Sequence, residues 1–328
     1  MKSKKPILGI TLGELTGIGP EIVAKSLIID EIYSICHPIV FGCQNTFKKS
    51  MEECELNKEL KNVDTQGLKR FDWNHSTQVV PFFHCPGDSQ EEITLQAIHL
   101  CSDLCLEKVL DGMVTGPVDK YKLQKVFPKG SSFIGHTEYL KEITKSDAVA
   151  MMLAGDELRV VPVTTHCSIR EVPELLTLQR IFQTIELTAL FLKESFQIGD
   201  PKIAVCALNP HAGENGIFGR EEGEIILPAV EKARLMGIDV QGPLPSDTVF
   251  FQAVHKRCFD AIITMYHDQA LIPLKMLYFH RAVNITLGLP IVRTSVDHGT
   301  AYEIVGKNQA DPSSMVEAIR MAAYLCRI

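Results

Sequence analysis

Short apolar runs alternate along the chain with longer segments of helical period. The runs at 6–11, 38–42 and 113–118 are apolar and close on glycine or proline, which is typical of buried strands. In 91–112 and 175–196 apolar residues recur every three or four positions, which predicts amphipathic helices. The alternation predicts an α/β fold with a mainly parallel sheet.

The middle of the chain has a different texture. Two apolar runs in 148–166 flank Gly155, which predicts a hairpin and so an antiparallel element. The segment 221–237 is expected to form a helix that is broken or bent near Pro228. Residues 45–80 are polar and irregular, and the pattern predicts no firm element there.

The remaining pattern continues the alternation to the last residue. Further strands are predicted in 202–208, 259–267, 282–288 and 291–295, and a helix in 313–328.

No linker marks a domain boundary. The change of texture near residue 130 suggests a first α/β lobe of residues 1–130 with about 300–328, and a second of about 131–299.

Composition narrows the class of protein. The 328 residues are 45% hydrophobic and 22% charged, with a net charge of -7, and the negative balance argues against nucleic-acid binding. The ten cysteines contain no CxxC pair, and no apolar run reaches the ~20 residues of a membrane span. We therefore expect a cytoplasmic protein with reduced thiols, and neither a secreted disulfide framework nor a membrane partner.

Polar residues follow nearly every predicted strand, and three of them are histidines: His166, His211 and His267. Ligands bind beyond the carboxyl ends of strands in open α/β sheets. Neutral imidazole is the commonest metal ligand, and three protein ligands with open positions are usual for a catalytic metal. The alternative is a histidine satisfied by backbone groups at each strand end.

A second set of residues suits an anionic ligand. Lys275, Asn284 and Arg293 follow one another at intervals of nine residues, each beside an apolar run, and such groups bind phosphate. His136 and Thr137 precede a helical segment. Alternatively, Lys275, Asn284 and Arg293 are ordinary surface residues, and Thr137 caps the helix.

The glycines do not form a known nucleotide fingerprint. The loop GELTGIGPE reads GxxxGxG and leads into a helix, so its amides could face an anion, but such loops are common. The chain contains no GxGxxG unit, GxSxG elbow or P-loop, so a Rossmann-type cofactor site is not supported.

Longer motifs carry a family resemblance that spans residues 13–302. They are GELTGIGPE, VTGPVDK, IGHTE, LNPHAGENGIFG, GPLPSDT, YHDQALIPLK and VNITLGLPIVRTSVDHGTA. With these the chain resembles the 4-hydroxythreonine-4-phosphate dehydrogenase family. The resemblance implies two α/β/α lobes, like those of isocitrate and isopropylmalate dehydrogenases, with the active site in the cleft between them. It also implies NAD (or NADP) bound without a GxGxxG loop.

The resemblance also assigns residues. It implies that His166, His211 and His267 hold one divalent ion (zinc, magnesium or cobalt) at a site shared across a homodimer interface. The residues implied to bind substrate are His136, Thr137, Lys275, Asn284 and Arg293, the last three around its phosphate. Asn209 and Glu214 then become candidates for orienting the His211 imidazole.

The reaction implied is oxidation of the secondary alcohol of 4-phosphooxy-L-threonine, with hydride passing to NAD. The product is a β-keto acid that decarboxylates to 3-amino-2-oxopropyl phosphate, in pyridoxal 5'-phosphate biosynthesis. A base must take the hydroxyl proton, and the candidates are Asp247, Asp268 and Lys120, which the sequence does not rank.

Four departures from the family pattern leave the substrate open: Leu15, Thr16, Asp119 and Ala270. A related phosphorylated sugar acid, such as 4-phosphoerythronate or 4-phosphothreonate, is an alternative substrate. Two other classes also fit the residues: a metal-dependent hydrolase of a phosphorylated small molecule, and a non-catalytic phosphate-binding protein.

Overall fold

A computed structural model describes residues 5–73, 77–127, 133 and 135–327. The strands are β1 (Ile7–Thr11), β2 (His37–Gly42), β3 (Glu59–Asn62), β4 (Val79–His84), β5 (Gly112–Thr115), β6 (Ala150–Ala154), β7 (Arg159–Pro162), β8 (Ile203–Cys206), β9 (Val240–Leu244), β10 (Ala261–Thr264), β11 (Val283–Leu287) and β12 (Val292–Val296). The helices are α1 (Gly19–Ser26), α2 (Asp30–Ile35), α3 (Gln44–Glu53), α4 (Thr65–Lys69), α5 (Gln90–Leu106), α6 (Lys120–Gln124), α7 (His136–Ile143), α8 (Val172–Leu175), α9 (Leu178–Glu194), α10 (Leu227–Leu235), α11 (Ser246–Lys256), α12 (His267–Tyr278) and α13 (Ser313–Leu325). Among these helices, none has both the length and the apolar character needed to cross a bilayer.

The chain divides into two compact units. The first contains residues 1–146 and 289–327, and the second residues 147–288. The sequence had suggested changes near 130 and 300. Unit 1 is therefore discontinuous in the chain, and unit 2 is a single continuous segment.

Unit 1 has six strands in the order β3-β4-β2-β1-β5-β12, and every neighbouring pair is parallel. The central strands are almost wholly buried, as their continuous apolar sequences predict. Helix α5 begins at Ser89, whose hydroxyl accepts from the Glu92 N–H. It packs so closely on β1 that a Cβ at Gly9 would lie 2.3 Å from Cys101 Sγ, which explains the glycine.

Unit 2 has the order β11-β6-β7-β10-β8-β9. The β6–β7 and β11–β6 pairs are antiparallel, and the others are parallel. The predicted hairpin is therefore confirmed. Its turn lies against α12, because a Cβ on Gly155 would stand 2.3 Å from the Tyr278 ring.

Two segments differ from a simple reading of the pattern. Residues 45–80 contain α3, β3, α4 and the start of β4, where no firm element was predicted. In α3 only Phe47, Ser50 and Met51 are buried, so the helix carries too little apolar periodicity to be seen.

The helix predicted in 221–237 is interrupted. A π turn at Glu222–Ile226 precedes α10, and Pro228 lies in the first turn of α10. Proline is tolerated there because the first N–H groups of a helix have no partner within it. The predicted bend is this junction.

Candidate active site

A cluster of basic side chains, the cationic pocket, lies in unit 1 and contains Arg293, His136 and Lys120. Arg293 lies on β12, whose neighbour β5 ends at Thr115. Its Nε and Nη2 donate to Thr115 Oγ1 at 3.2 and 2.7 Å. The side chain is only 2% exposed, and burial lowers the pKa of Arg293 to about 9, opposed by the nearby Glu138 carboxylate. The guanidinium is therefore charged at neutral pH and screened from water.

His136 belongs to the same pocket. It is the first residue of α7, after Gly135 at the N-cap. Burial, then the charges of Arg293 and Lys120, hold the pKa of His136 well below its ordinary value. The imidazole is neutral at pH 7, and its enclosed Nε2 has no hydrogen-bond partner among the described residues. A buried polar atom of this kind fits a ligand.

Thr137 is half-buried inside the first turn of α7. It is not the helix cap, since Gly135 occupies that position and α7 has no side-chain cap. The alternative explanation of Thr137 is thus wrong.

Lys120 reaches the edge of this pocket. It starts α6, and its Nζ would lie 3.6 Å from a Cβ at Gly135. Asp119 caps α6 by accepting from the N–H groups of Tyr121 and Lys122. Its other oxygen accepts from the Tyr302 hydroxyl at 2.9 Å. These bonds hold the start of α6 in place and lower the pKa of Asp119 despite some burial.

The departures Thr16 and Asp119 belong to one network. Lys122 Nζ donates to Thr16 Oγ1 at 2.7 Å and to Glu14 Oε1 at 3.2 Å. The same ammonium lies 4.5 Å from the centre of the Tyr302 ring, whose hydroxyl binds Asp119. Lys122 and Tyr302 therefore link Thr16 to Asp119 through a continuous set of contacts. The other two departures, Leu15 and Ala270, are buried apolar side chains.

The three predicted metal ligands follow three adjacent strands of unit 2. β7, β10 and β8 are neighbours and parallel. Their carboxyl ends meet at one edge of the sheet, where His166, His267 and His211 follow them, respectively. The prediction that these histidines occupy equivalent strand ends agrees with this topology.

Two of the three imidazoles lie together. The ring centres of His166 and His267 are 6.0 Å apart. Nδ1 of His267 is 2.7 Å from Asp268 Oδ1, which leaves Nε2 as its ligating atom. Within the ranges that the structure describes, no group of three His, Cys, Asp or Glu side chains is arranged to hold a metal.

His211 is carried by an unusual turn. His211, Ala212, Glu214 and Asn215 all have φ between 44° and 56°, and Gly213 has φ 78°. A left-handed helical conformation costs roughly 1–2 kcal/mol for each residue with a Cβ. Such strain persists only where surrounding groups enforce it, and it clusters at functional sites.

The remaining candidates lie on α12, α11 and β11. Lys275 is half-buried towards the end of α12, and Asp247 is exposed in the first turn of α11. Asn284 on β11 has an enclosed Oδ1 without a hydrogen-bond partner in the described part of the chain. The predicted substrate-binding set therefore divides, with Lys275 and Asn284 in unit 2 and the other three in unit 1.

Gln269 is a positioning residue that the sequence reading missed. It is 8% exposed, and its Oε1 accepts from the Met265 N–H at 2.6 Å. Its Nε2 donates to Ala207 O at 2.8 Å and to Ser246 Oγ at 2.7 Å. Gln269 therefore joins the ends of β8 and β10 to the start of α11. In the sequence, only its position two residues after the candidate ligand His267 pointed to Gln269.

Comparisons with known proteins agree over nearly the whole chain. The family model "Pyridoxal phosphate biosynthetic protein PdxA" matches residues 34–322. A 4-hydroxythreonine-4-phosphate dehydrogenase from Desulforapulum autotrophicum is 43% identical, covering 100% of this chain and 98% of that protein. A D-threonate 4-phosphate dehydrogenase from Cupriavidus necator is 40% identical, covering 99% and 98%. The crystal structure of 4-hydroxythreonine-4-phosphate dehydrogenase from Klebsiella pneumoniae superposes with a TM-score of 0.84 at 34% identity, covering 98% and 100%.

Proposed function

Because this chain belongs to the PdxA family and is an oxidoreductase of the 4-hydroxythreonine-4-phosphate dehydrogenase type, we propose that it oxidises 4-phosphooxy-L-threonine. The secondary alcohol becomes a ketone, and the resulting β-keto acid loses CO2 to give 3-amino-2-oxopropyl phosphate. The hydride acceptor is NAD. D-threonate 4-phosphate is a second candidate substrate, favoured by the 40% identity to the Cupriavidus necator enzyme.

The proposal of a phosphorylated substrate rests on the cationic pocket of unit 1. Arg293 is 2% exposed and charged, and its guanidinium offers donors in the fork geometry that suits phosphate oxygens. The enclosed Nε2 of neutral His136 supplies a further polar contact. Arg293 then binds a phosphate oxygen, and Thr115 orients the guanidinium.

The histidines fit a divalent metal ion. His166 and His267 are close enough to meet at one ion, and Asp268 holds the tautomer of His267. When bound, such an ion polarises the substrate hydroxyl and the later carbonyl. Imidazole ligands suit zinc or cobalt, whereas open positions filled by substrate oxygens accept magnesium.

The nicotinamide cofactor accepts the hydride, and the protein positions the reacting carbon. One enclosed acceptor fits a donor group of such a cofactor. Glu14 is 2% exposed, and its Oε2 has no hydrogen-bond partner among the residues described. The other oxygen is held by Lys122, which fixes the carboxylate.

Lys120 is the base candidate with the best geometric support. Its Nζ lies beside Gly135 at the start of α7, and it would accept the hydroxyl proton as the neutral amine. Asp268 instead bonds His267 Nδ1, which is an orienting role. Asp247 is exposed in the first turn of α11 and is retained as a second candidate.

A substrate panel tests the proposal. Purified protein is mixed with NAD or NADP and with 4-phosphooxy-L-threonine, D-threonate 4-phosphate, 4-phosphoerythronate or their dephosphorylated forms, and NADH absorbance is followed. We expect NADH formation with a much higher kcat/KM for the phosphorylated alcohols than for their dephosphorylated forms. Release of inorganic phosphate without NADH would instead identify a metal-dependent hydrolase, and binding without turnover a phosphate-binding protein.

We also propose that the active form is a homodimer that shares each metal site. The support is that His211 does not join His166 and His267 in a metal-binding group in the described chain. In addition α12, which begins at His267, exposes apolar side chains suited to a second copy: Ile272, Met276, Leu277 and Phe279.

Mixing two inactive variants tests the shared site. His211→Ala and His267→Ala dimers are exchanged at equal concentration. If His211 and His267 of one site come from different chains, about a quarter of the wild-type activity should return, because half of the dimers carry one intact site of two. Absence of recovery, with exchange verified by mass spectrometry, would show that both ligands come from one chain.

A further inference from the structure

The left-handed turn that carries His211 is anchored by a buried carboxylate. Glu222 is 5% exposed, and its Oε1 accepts from the backbone N–H groups of Leu208 and Asn209 at 2.9 and 2.7 Å. These are the last residues before the turn. Its Oε2 accepts from Asn209 Nδ2 at 3.0 Å. The carboxylate therefore fixes the point at which the chain leaves β8.

Asn209 is bound to two adjacent carboxylates rather than to the His211 ring. Its Nδ2 also donates to Glu221 Oε2 at 2.8 Å. The π turn at Glu222–Ile226 begins at this point. π turns are rare and frequently lie at functional sites.

The turn is shaped to lie on this anchor. A Cβ at Gly213 would stand 2.6 Å from Glu222 Oε2, and a Cβ at Gly219 would stand 2.3 Å from Asn209 Nδ2. The Phe218 N–H closes the loop on Gly213 O at 3.1 Å. Both glycines therefore permit a close approach that any other residue would prevent.

We infer that Glu222 and Asn209 are positioning residues that hold the left-handed turn and thereby preset His211 for a metal ion. Neither touches the ion. Without them the strained turn relaxes towards ordinary conformations, and His211 must be reordered each time an ion binds. The inference rests on the proposed metal role of His211.

Cobalt binding to the metal-stripped full-length protein tests the inference without reference to turnover. Co²⁺ affinity is measured by calorimetry, and the visible Co²⁺ bands report its ligands. In Glu222→Gln one amide NH2 group must face another donor, so we expect affinity to fall about tenfold or more. The matched control is Glu224→Gln on the same π turn, whose exposed carboxylate pairs with Arg220 at 3.9 Å. Its affinity should stay within about twofold of wild type.

The outcomes separate this inference from the proposed function. A folded Glu222→Gln protein that binds Co²⁺ within about twofold of wild type overturns the positioning role. If that variant does not fold, Asn209→Ala replaces it, with the same criterion. His211→Ala should abolish the tight site. If His211→Ala binds Co²⁺ as wild type does, the metal role of His211 fails, and the positioning inference fails with it.

Discussion

Replacing Arg293 by methionine should remove the preference for phosphorylated substrates. Methionine fills most of the same space in the pocket but donates no hydrogen bond. Arg293 is 2% exposed, so water cannot replace the lost contacts to phosphate. One or two hydrogen bonds from a charged donor contribute about 1.5–3 kcal/mol each. A total loss of about 1.5–6 kcal/mol should lower kcat/KM for the phosphorylated alcohol by a factor of roughly 10 to 10⁴.

The test compares the effect of Arg293→Met on kcat/KM for the phosphorylated and the dephosphorylated alcohol. For the dephosphorylated alcohol, kcat/KM of Arg293→Met should change by less than about threefold. Arg320→Met is the control, because Arg320 is a partly exposed arginine paired with Glu31 and Glu317. Inorganic phosphate should raise the apparent Tm of the wild type and of the control, but not that of Arg293→Met.

Thr115→Val provides an independent variant. It keeps the guanidinium but removes the hydroxyl that accepts from Nε and Nη2. We expect kcat/KM for the phosphorylated alcohol to fall about tenfold, because the guanidinium keeps its charge but is no longer held in position. If Arg293→Met lowers kcat/KM equally for both alcohols, Arg293 does not bind the phosphate.

Burial keeps the pKa of His136 below its unfolded value, so the unfolded chain takes up a proton first as the pH falls. Stability should fall by up to about 1.4 kcal/mol per pH unit below about pH 6.5, and denaturant titrations of His136→Gln should lack this part of the slope. Asp268→Asn should weaken Co²⁺ binding about tenfold through a misoriented His267, and unchanged calorimetric affinity would exclude that orienting role. Tyr302→Phe breaks the bond to Asp119 but keeps the ring. If the start of α6 positions Lys120, the pH profile of kcat of the Tyr302→Phe variant should shift. A lower Tm with an unchanged pH profile would indicate a purely structural bond.

The sequence predicts the part of the site that depends on strand order. His166, His211 and His267 each follow an apolar run, and ligands gather at the carboxyl ends of parallel strands. The topology places those three strands side by side, as this rule requires. Side-chain chemistry at a strand end is thus readable before the structure is known.

Contacts between distant segments are not readable in this way. Arg293 and Thr115 are 178 positions apart and meet only because β12 pairs with β5. Both strands are buried on both faces, so their apolar sequences lack the alternation that would specify their register, and the register depends on side-chain packing. The network that joins Thr16 to Asp119 is hidden for the same reason.

The sequence signals only part of the left-handed turn. Gly213 and Asn215 are residue types that favour φ above zero, whereas histidine, alanine and glutamate occupy its other strained positions. The anchor that enforces the conformation, Glu222, is eleven residues further on. Local propensity is overridden here by a tertiary contact.

The discontinuity of unit 1 sets an order of events during synthesis. Residues 1–146 leave the ribosome first, but β12 and α13, which complete that unit, follow only after all of unit 2. In the interval β5 presents an unpaired edge, and exposed edges of this kind recruit other strands. Arg293 arrives on the strand that closes this edge. The contact between Arg293 and Thr115 therefore forms only in the step that covers the edge of β5.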